Sequence, residues 1–162
     1  KFYIVETSED SIKSYENDKR INTVLYDGVH LPFERNFFDR IIISHVLEHI
    51  NEPENFLFEM MNKLKTGGIL SISLPTDPGL LWRLGKLYIR YYEAKKTYNI
   101  SAKEYDYLSA TEHINSIFNL MSIIKYHFKD QIEESFLPFK IKLVDINLFY
   151  NVHITKSTDQ VY

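Results

Sequence analysis

The run Arg40-Ile41-Ile42-Ile43-Ser44 constrains this chain more than any other stretch. β-Branched side chains without polar alternation suit a parallel strand covered on both faces, so the run is expected in the middle of a sheet. A helix is expected after it. Asn51 or Glu52 can cap that helix, with Pro53 in its first turn, where proline's missing N–H costs nothing. Phe56, Leu57, Met60 and Leu64 recur at helical spacing and make one apolar face, and Gly67-Gly68 supplies a left-handed stop. Ile69 to Leu74 reads as the next strand. Together these pieces form one strand–helix–strand unit, whose crossover is right-handed.

The remainder is placed around that unit. Phe2 to Val5 reads as a short strand ending at Glu6, followed by a helix from Ser8 or Glu9 to about Asn17. Asn22 to Tyr26 is another strand, closed by Asp27-Gly28, and Leu31-Pro32-Phe33 packs as a loop. Residues 76 to 128 are longer than an ordinary connection. Leu80, Leu81, Leu84, Leu87, Tyr88, Tyr91 and Tyr92 form a helical stripe within it, with Arg83, Lys86 and Arg90 on a neighbouring face. Between Leu80 and Lys103 six Lys/Arg residues face one acid, so this segment carries +5 and the rest of the chain -8. That asymmetry suits a lid over an anionic or lipid-linked substrate, a helix on an anionic membrane surface, or a solvated basic face. Ile117 to Phe128 reads as a further helix. Gln131 to Phe136 and Lys142 to Thr155 read as a closing pair of strands, the second a half-exposed edge in which Tyr150, Val152 and Ile154 alternate with Asn151 and His153.

Composition narrows the classes. With 162 residues and 44% hydrophobic content, the chain suits one domain with a proper core. A formal charge of -3 argues against a general nucleic-acid binder. The lack of cysteine excludes disulfides and thiolate zinc sites and agrees with a cytoplasmic setting. No apolar run approaches the ~20 residues needed to span a bilayer, and the first residues do not read as a signal peptide.

Several linked segments carry a resemblance. Asp27-Gly28, Leu31-Pro32-Phe33, Phe38-Asp39, Val46-Leu47-Glu48-His49, Pro53 and Leu64-Lys65 with Gly67-Gly68 resemble the class I S-adenosylmethionine-dependent methyltransferases, in the type 11 group. The resemblance implies an α/β fold: a Rossmann-like, doubly wound, mostly parallel sheet with a C-terminal antiparallel hairpin. It implies S-adenosylmethionine as cofactor and a small molecule as acceptor. Glu6 would accept hydrogen bonds from both ribose hydroxyls, because a carboxylate can take two donors at once. Asp27 would meet the adenine amino group, and Gly28 would let the backbone approach the ring. Ser44 and His45, at the carboxyl edge of their strand, would line the methyl-transfer end of the pocket. The family's first strand and glycine-rich turn would lie upstream of Lys1. Residues 1–156 are accordingly expected to be a methyltransferase domain lacking its N-terminal βα unit, with a helical insert at about 76–115 and a tail at 157–162.

The segment His45-Val46-Leu47-Glu48-His49 also matches the H-x-x-E-H pattern of a zinc peptidase, which needs both histidines inside one helix. Here His45 belongs to a strand end. A Glu-x-x-Glu-His in this place holds a divalent ion in some related methyltransferases, but His45 stands where the first glutamate would be, and magnesium prefers oxygen. The sequence therefore assigns no metal. For a hydroxyl acceptor a base is needed, and the candidates are His45 and His113. Sugars and lipid-linked saccharides fit the basic aromatic insert, while quinones and small acids fit the family at large. The competing reading is a non-catalytic module that contacts a partner or membrane surface through the insert.

Overall fold

A computed structural model describes residues 1–15, 18–28 and 30–157. Contacts divide the chain into two compact units, Lys1–Glu34 and Arg35–Tyr162. The first unit contains β1 (Phe2–Glu6), α1 (Glu9–Lys13) and β2 (Ile21–Leu25). Its strands pair in parallel from Phe2↔Ile21 to Glu6↔Leu25, which brings their carboxyl ends to one edge. Ser8 enters α1 in an extended conformation, and Glu9 and Asp10 fill the first turn, where the helix dipole favours acids. The helix ends at Lys13, short of the expected Asn17, which lies outside the described residues.

The second unit contains β3 (Phe38–Ser44), α2 (Pro53–Lys63), β4 (Leu64–Pro75), α3 (Leu80–Tyr88), α4 (Ala94–Thr97), α5 (Ala102–Glu112), α6 (Ile117–Phe128), β5 (Ile132–Leu137) and β6 (Phe149–Thr155). Its sheet has the order β3-β4-β6-β5. The β3 and β4 strands are parallel, joined through α2, and β4, β6 and β5 are antiparallel. Leu57 and Met61 of α2, Leu70 and Leu74 of β4, and Leu120 and Ile124 of α6 are fully buried. The α/β class and the closing antiparallel pair are as expected.

Four local expectations change. The isoleucine run forms β3, but as an edge of its sheet with β4 as its partner; its two faces also differ, since Ile43 is buried while Ile42, pointing the other way, is 72% exposed. The α2 helix stops at Lys63 rather than at the glycines, because Leu64 turns extended and already pairs with Phe38. The register then jumps to Arg40↔Ile69, so Gly67 and Gly68 lie in an irregularity of β4. Gly67 has φ +77, and a Cβ on Gly68 would stand 2.8 Å from the Lys65 carbonyl oxygen. Both positions favour glycine for the bulge, not for a helix stop. The β6 strand is interior, since it lies between β4 and β5; Tyr150, Val152 and Ile154 are accordingly fully buried.

The fourth change concerns Lys142–Leu148, read as strand but folded as a loop with a short turn at Val144–Ile146. Asn147 is its cause. Fully buried, it donates from Nδ2 to the carbonyls of Ile141 and Leu143 at 2.9 and 2.8 Å and accepts the Phe139 N–H at 3.0 Å. Side-chain bonds of this kind offer the backbone an alternative to a strand ladder.

The stripe on α3 is helical as expected, yet no side chain of that helix is buried. A π-helical turn over Ile89–Glu93 joins α3 to α4, and Tyr91 and Tyr92 on it are exposed. Among the described residues no helix is long and apolar enough to cross a membrane. Replacing Asn147 with alanine removes three part-buried hydrogen bonds and is expected to cost about 2 kcal/mol in urea unfolding, whereas a cost under about 0.5 kcal/mol would show that the loop is held elsewhere.

Candidate active site

In the first unit, Glu6 closes β1 and its carbonyl accepts the Tyr26 N–H at 3.0 Å, which draws the segment after β2 alongside. Asp27 follows in that segment and accepts the His30 N–H at 3.0 Å. Gly28 has φ +81, while an added Cβ would meet Thr7 Cγ2 at an ordinary 3.6 Å. Backbone conformation, not crowding, is what calls for glycine there. The structure thus gathers Glu6, Asp27 and Gly28 at the carboxyl edge of two parallel strands.

In the second unit, Ser44 ends β3, level with Ser73 of β4. His45 follows with φ 54, an uncommon conformation for a residue with a side chain, and its N–H donates to the Ser73 carbonyl at 3.0 Å. Its ring lies edge-on to Phe149, 5.5 Å between centroids. A short 3₁₀ turn, Leu47–His49, comes next. Leu47 is fully buried and anchors the turn, which carries the Glu48 carboxylate inward to 2% exposure. Among the described residues neither Glu48 oxygen has a hydrogen-bond partner. His45 Nδ1 lies 3.5 Å and His49 Nε2 3.9 Å from Glu48 Oε1.

The segment before α6 closes over this turn. Asn115 donates its backbone N–H to the Glu48 carbonyl at 3.1 Å and its side-chain amide to the Ile50 carbonyl at 2.6 Å. His113 stands 5.0 Å from His49, ring to ring and edge-on. Its Nδ1 is 3.0 Å from Asp77 Oδ2, which also accepts from Lys86 Nζ at 2.9 Å. Burial pushes the Asp77 carboxyl up, but the hydrogen bonds from His113 and Lys86 outweigh it and hold the pKa at about 2.

Of the residues proposed from sequence, Ser44, His45 and His113 therefore fall in the second unit. Glu48, considered from sequence within the H-x-x-E-H and Glu-x-x-Glu-His patterns, is the most deeply buried member of its cluster. Asp77 was not singled out at all; nothing in Thr76-Asp77-Pro78-Gly79 distinguishes it from an ordinary turn acid. The H-x-x-E-H pattern is split between a strand end and a 3₁₀ turn before α2, so the peptidase arrangement is absent. A cavity of about 270 Å³ between α3 and α5 is lined in part by Lys86 and Arg90. Their charges are already committed, Lys86 to Asp77 and Arg90 to Asp106 at 2.7 Å, so it offers no ready anion receptor.

The depressed Asp77 pKa sets a pH dependence. An acid whose folded pKa is about 2, against roughly 3.9 unfolded, adds stability above about pH 4 and loses it as pH falls towards 2. The contribution is on the order of 1–2 kcal/mol at neutral pH after allowance for partial exposure. Asp77→Asn is expected to remove that acid limb from urea unfolding midpoints measured between pH 2 and 6; an unchanged limb would contradict the network.

Comparison with known proteins agrees with this architecture. Residues 1–72 match the family described as a methyltransferase domain. An uncharacterized protein of Methanocaldococcus jannaschii is 31% identical over 116 residues, 72% of this chain and 53% of that protein. A demethylmenaquinone methyltransferase of Clavibacter sepedonicus is 34% identical over 96 residues, 57% of this chain and 39% of that enzyme. The chain spans about half the length of these relatives or less. Among solved structures, a S-adenosylmethionine-dependent methyltransferase of Thermotoga maritima superposes with TM-score 0.62 at 21% identity, over 96% of this chain and 73% of that one. The plantazolicin methyltransferase bound to S-adenosylhomocysteine and a substrate analogue gives TM-score 0.65 at 13% identity, covering 97% and 66% of the two chains. Residues 1–72 thus match the methyltransferase-domain family, and the chain shares the fold of these solved methyltransferases.

Proposed function

We propose that residues 1–156 act as a methyltransferase domain that transfers a methyl group from S-adenosylmethionine to a small-molecule acceptor. The carrying observation is the carboxyl edge of β1 and β2, where Glu6, Asp27 and the positive-φ Gly28 stand together. Glu6 would take the two ribose hydroxyls, Asp27 the adenine amino group, and Gly28 would keep its backbone clear for the ring. The bound cofactor supplies an activated methyl on a good leaving group, so the chain's own contribution is alignment and exclusion of water. In the second unit Ser44 and His45 are the proposed lining of the methyl-transfer end. His45, held against Phe149 and 43% exposed, is assigned the removal of the acceptor hydroxyl proton. His113 is the second candidate base.

The acceptor is proposed to be lipid-linked. Support comes from the exposed stripe of Leu80, Leu84, Leu87 and Tyr88 on α3, continued by Tyr91 and Tyr92 on the π-helical turn, which would suit an amphipathic molecule at a membrane surface. Relatives named as demethylmenaquinone methyltransferases favour a quinone-type head group among the acceptors that the sequence left open, saccharides included. The same exposed stripe is the observation behind the competing reading, a non-catalytic contact module.

The test uses the protein of the natural reading frame, including any residues that precede Lys1. Calorimetry with S-adenosylhomocysteine should show binding that Glu6→Ala weakens at least about tenfold, the scale of a lost charge-assisted hydrogen bond. His45→Ala should leave that affinity within about threefold while lowering turnover of a hydroxyl acceptor by 10² or more. No binding by the parent protein would overturn the enzyme reading and favour the contact module.

A further inference from the structure

We propose that Glu48, His49 and His113 form a binding site for a divalent first-row transition ion of the zinc type. One ligand atom from each lies within 4.8 Å of the others. Adjacent donors of a tetrahedral ion with bonds of about 2.1 Å stand about 3.4 Å apart. Closing the cluster needs side-chain movements of roughly an ångström or less.

Two independent features point inward. The first is Glu48 itself: at 2% exposure, with neither oxygen hydrogen-bonded among the described residues, its charge needs a positive partner. The second is the state of the two imidazoles. His49 Nδ1 is 2.7 Å from the Glu112 carbonyl, and His113 Nδ1 is 3.0 Å from the Asp77 carboxylate. Both partners are acceptors, so in each neutral ring Nδ1 carries the proton and Nε2 keeps its lone pair. A histidine that donates one nitrogen to a carbonyl or carboxylate and presents the other is the arrangement metal ligands adopt.

The donor set selects the ion. Two imidazoles and one carboxylate suit zinc, cobalt or nickel, whereas magnesium and calcium prefer an all-oxygen shell. His45 Nδ1 lies 3.5 Å from Glu48 but stands outside the three-residue group, so it becomes a fourth donor only if its ring swings inward. Otherwise three protein ligands leave a position for water or a substrate oxygen at the carboxyl edge of β3. This site departs from the sequence reading, which assigned no metal, and it does not depend on methyl transfer. The competing explanation is an imidazolium: His45 or His49 could take a second proton and neutralise Glu48 without any ion.

Cobalt(II) titration of the chelator-treated protein of the natural reading frame, followed by visible absorption, separates these. One equivalent should bind with ligand-field bands, displaced by zinc and not by millimolar magnesium. Glu48→Gln and His113→Gln should each weaken binding at least tenfold, and Asp77→Asn, which frees the His113 ring, by about 10- to 100-fold. His127→Asn, at a histidine paired with Glu54, should change nothing. Thermal unfolding supplies a second readout. Without metal, Glu48→Gln should match or exceed the parent in Tm, because it removes an uncompensated charge; zinc should reverse that order. Absence of cobalt bands, binding indifferent to Glu48→Gln, or a metal-free Tm lowered by Glu48→Gln would overturn the proposal, the last in favour of the imidazolium.

Discussion

A carboxylate cannot be taken out of water without something to answer its charge, and the second unit is built around one that has been. Leu47, fully buried, fixes the 3₁₀ turn that points Glu48 inward, and Asn115 ties the segment before α6 back onto that turn. The backbone after β3, the loop after β4 and the entry to α6 consequently meet at one place. Asp77 extends the cluster outward to Lys86 on α3, which couples the helical insert to the sheet edge through charge, alongside the edge-on contact of Trp82 with Phe149.

That edge is where an α/β sheet is free to do chemistry. Strand ends leave backbone groups and short loops at the same level, and a helix or turn beginning there can aim side chains across them. In the first unit the carboxyl ends of β1 and β2 hold two carboxylates and a glycine whose backbone angle disfavours a side chain; in the second, the carboxyl end of β3 holds Ser44, a left-handed His45 and the Glu48 cluster. A residue such as His45, kept at positive φ without being glycine, stores a small strain that the neighbouring ladder bond to Ser73 helps maintain.

Most of the element types were legible because their signals are local. The isoleucine run, Pro53 at a helix start and the spacing of Leu57, Met60 and Leu64 each follow from backbone sterics and periodicity, and β3, α2 and β4 appear where those signals put them. Burial was less legible. Ile42 is exposed because it points to the open face of β3, opposite the buried Ile43, and Val152 is buried in a strand that lies inside the sheet; neither which face is covered nor the strand order resides in the residues themselves. The same limit applied at the site. That Glu6, Asp27 and Gly28 stand at strand ends could be read from sequence, because a strand's last residue and an Asp-Gly pair mark such positions. Glu48 and His49 were given no role from sequence, since only the folded turn shows which way the carboxylate faces. Asp77 lies 36 residues from its partner His113, beyond the reach of any local pattern.

The account turns on the carboxyl edge of β1 and β2 serving as the cofactor's recognition site. Amide shift mapping of the isotopically labelled protein of the natural reading frame, titrated with S-adenosylhomocysteine, tests it most directly. The account predicts saturable shifts centred on Glu6, Asp27 and Gly28. Saturable shifts confined to α3 and α5, with these three residues unmoved, would contradict it.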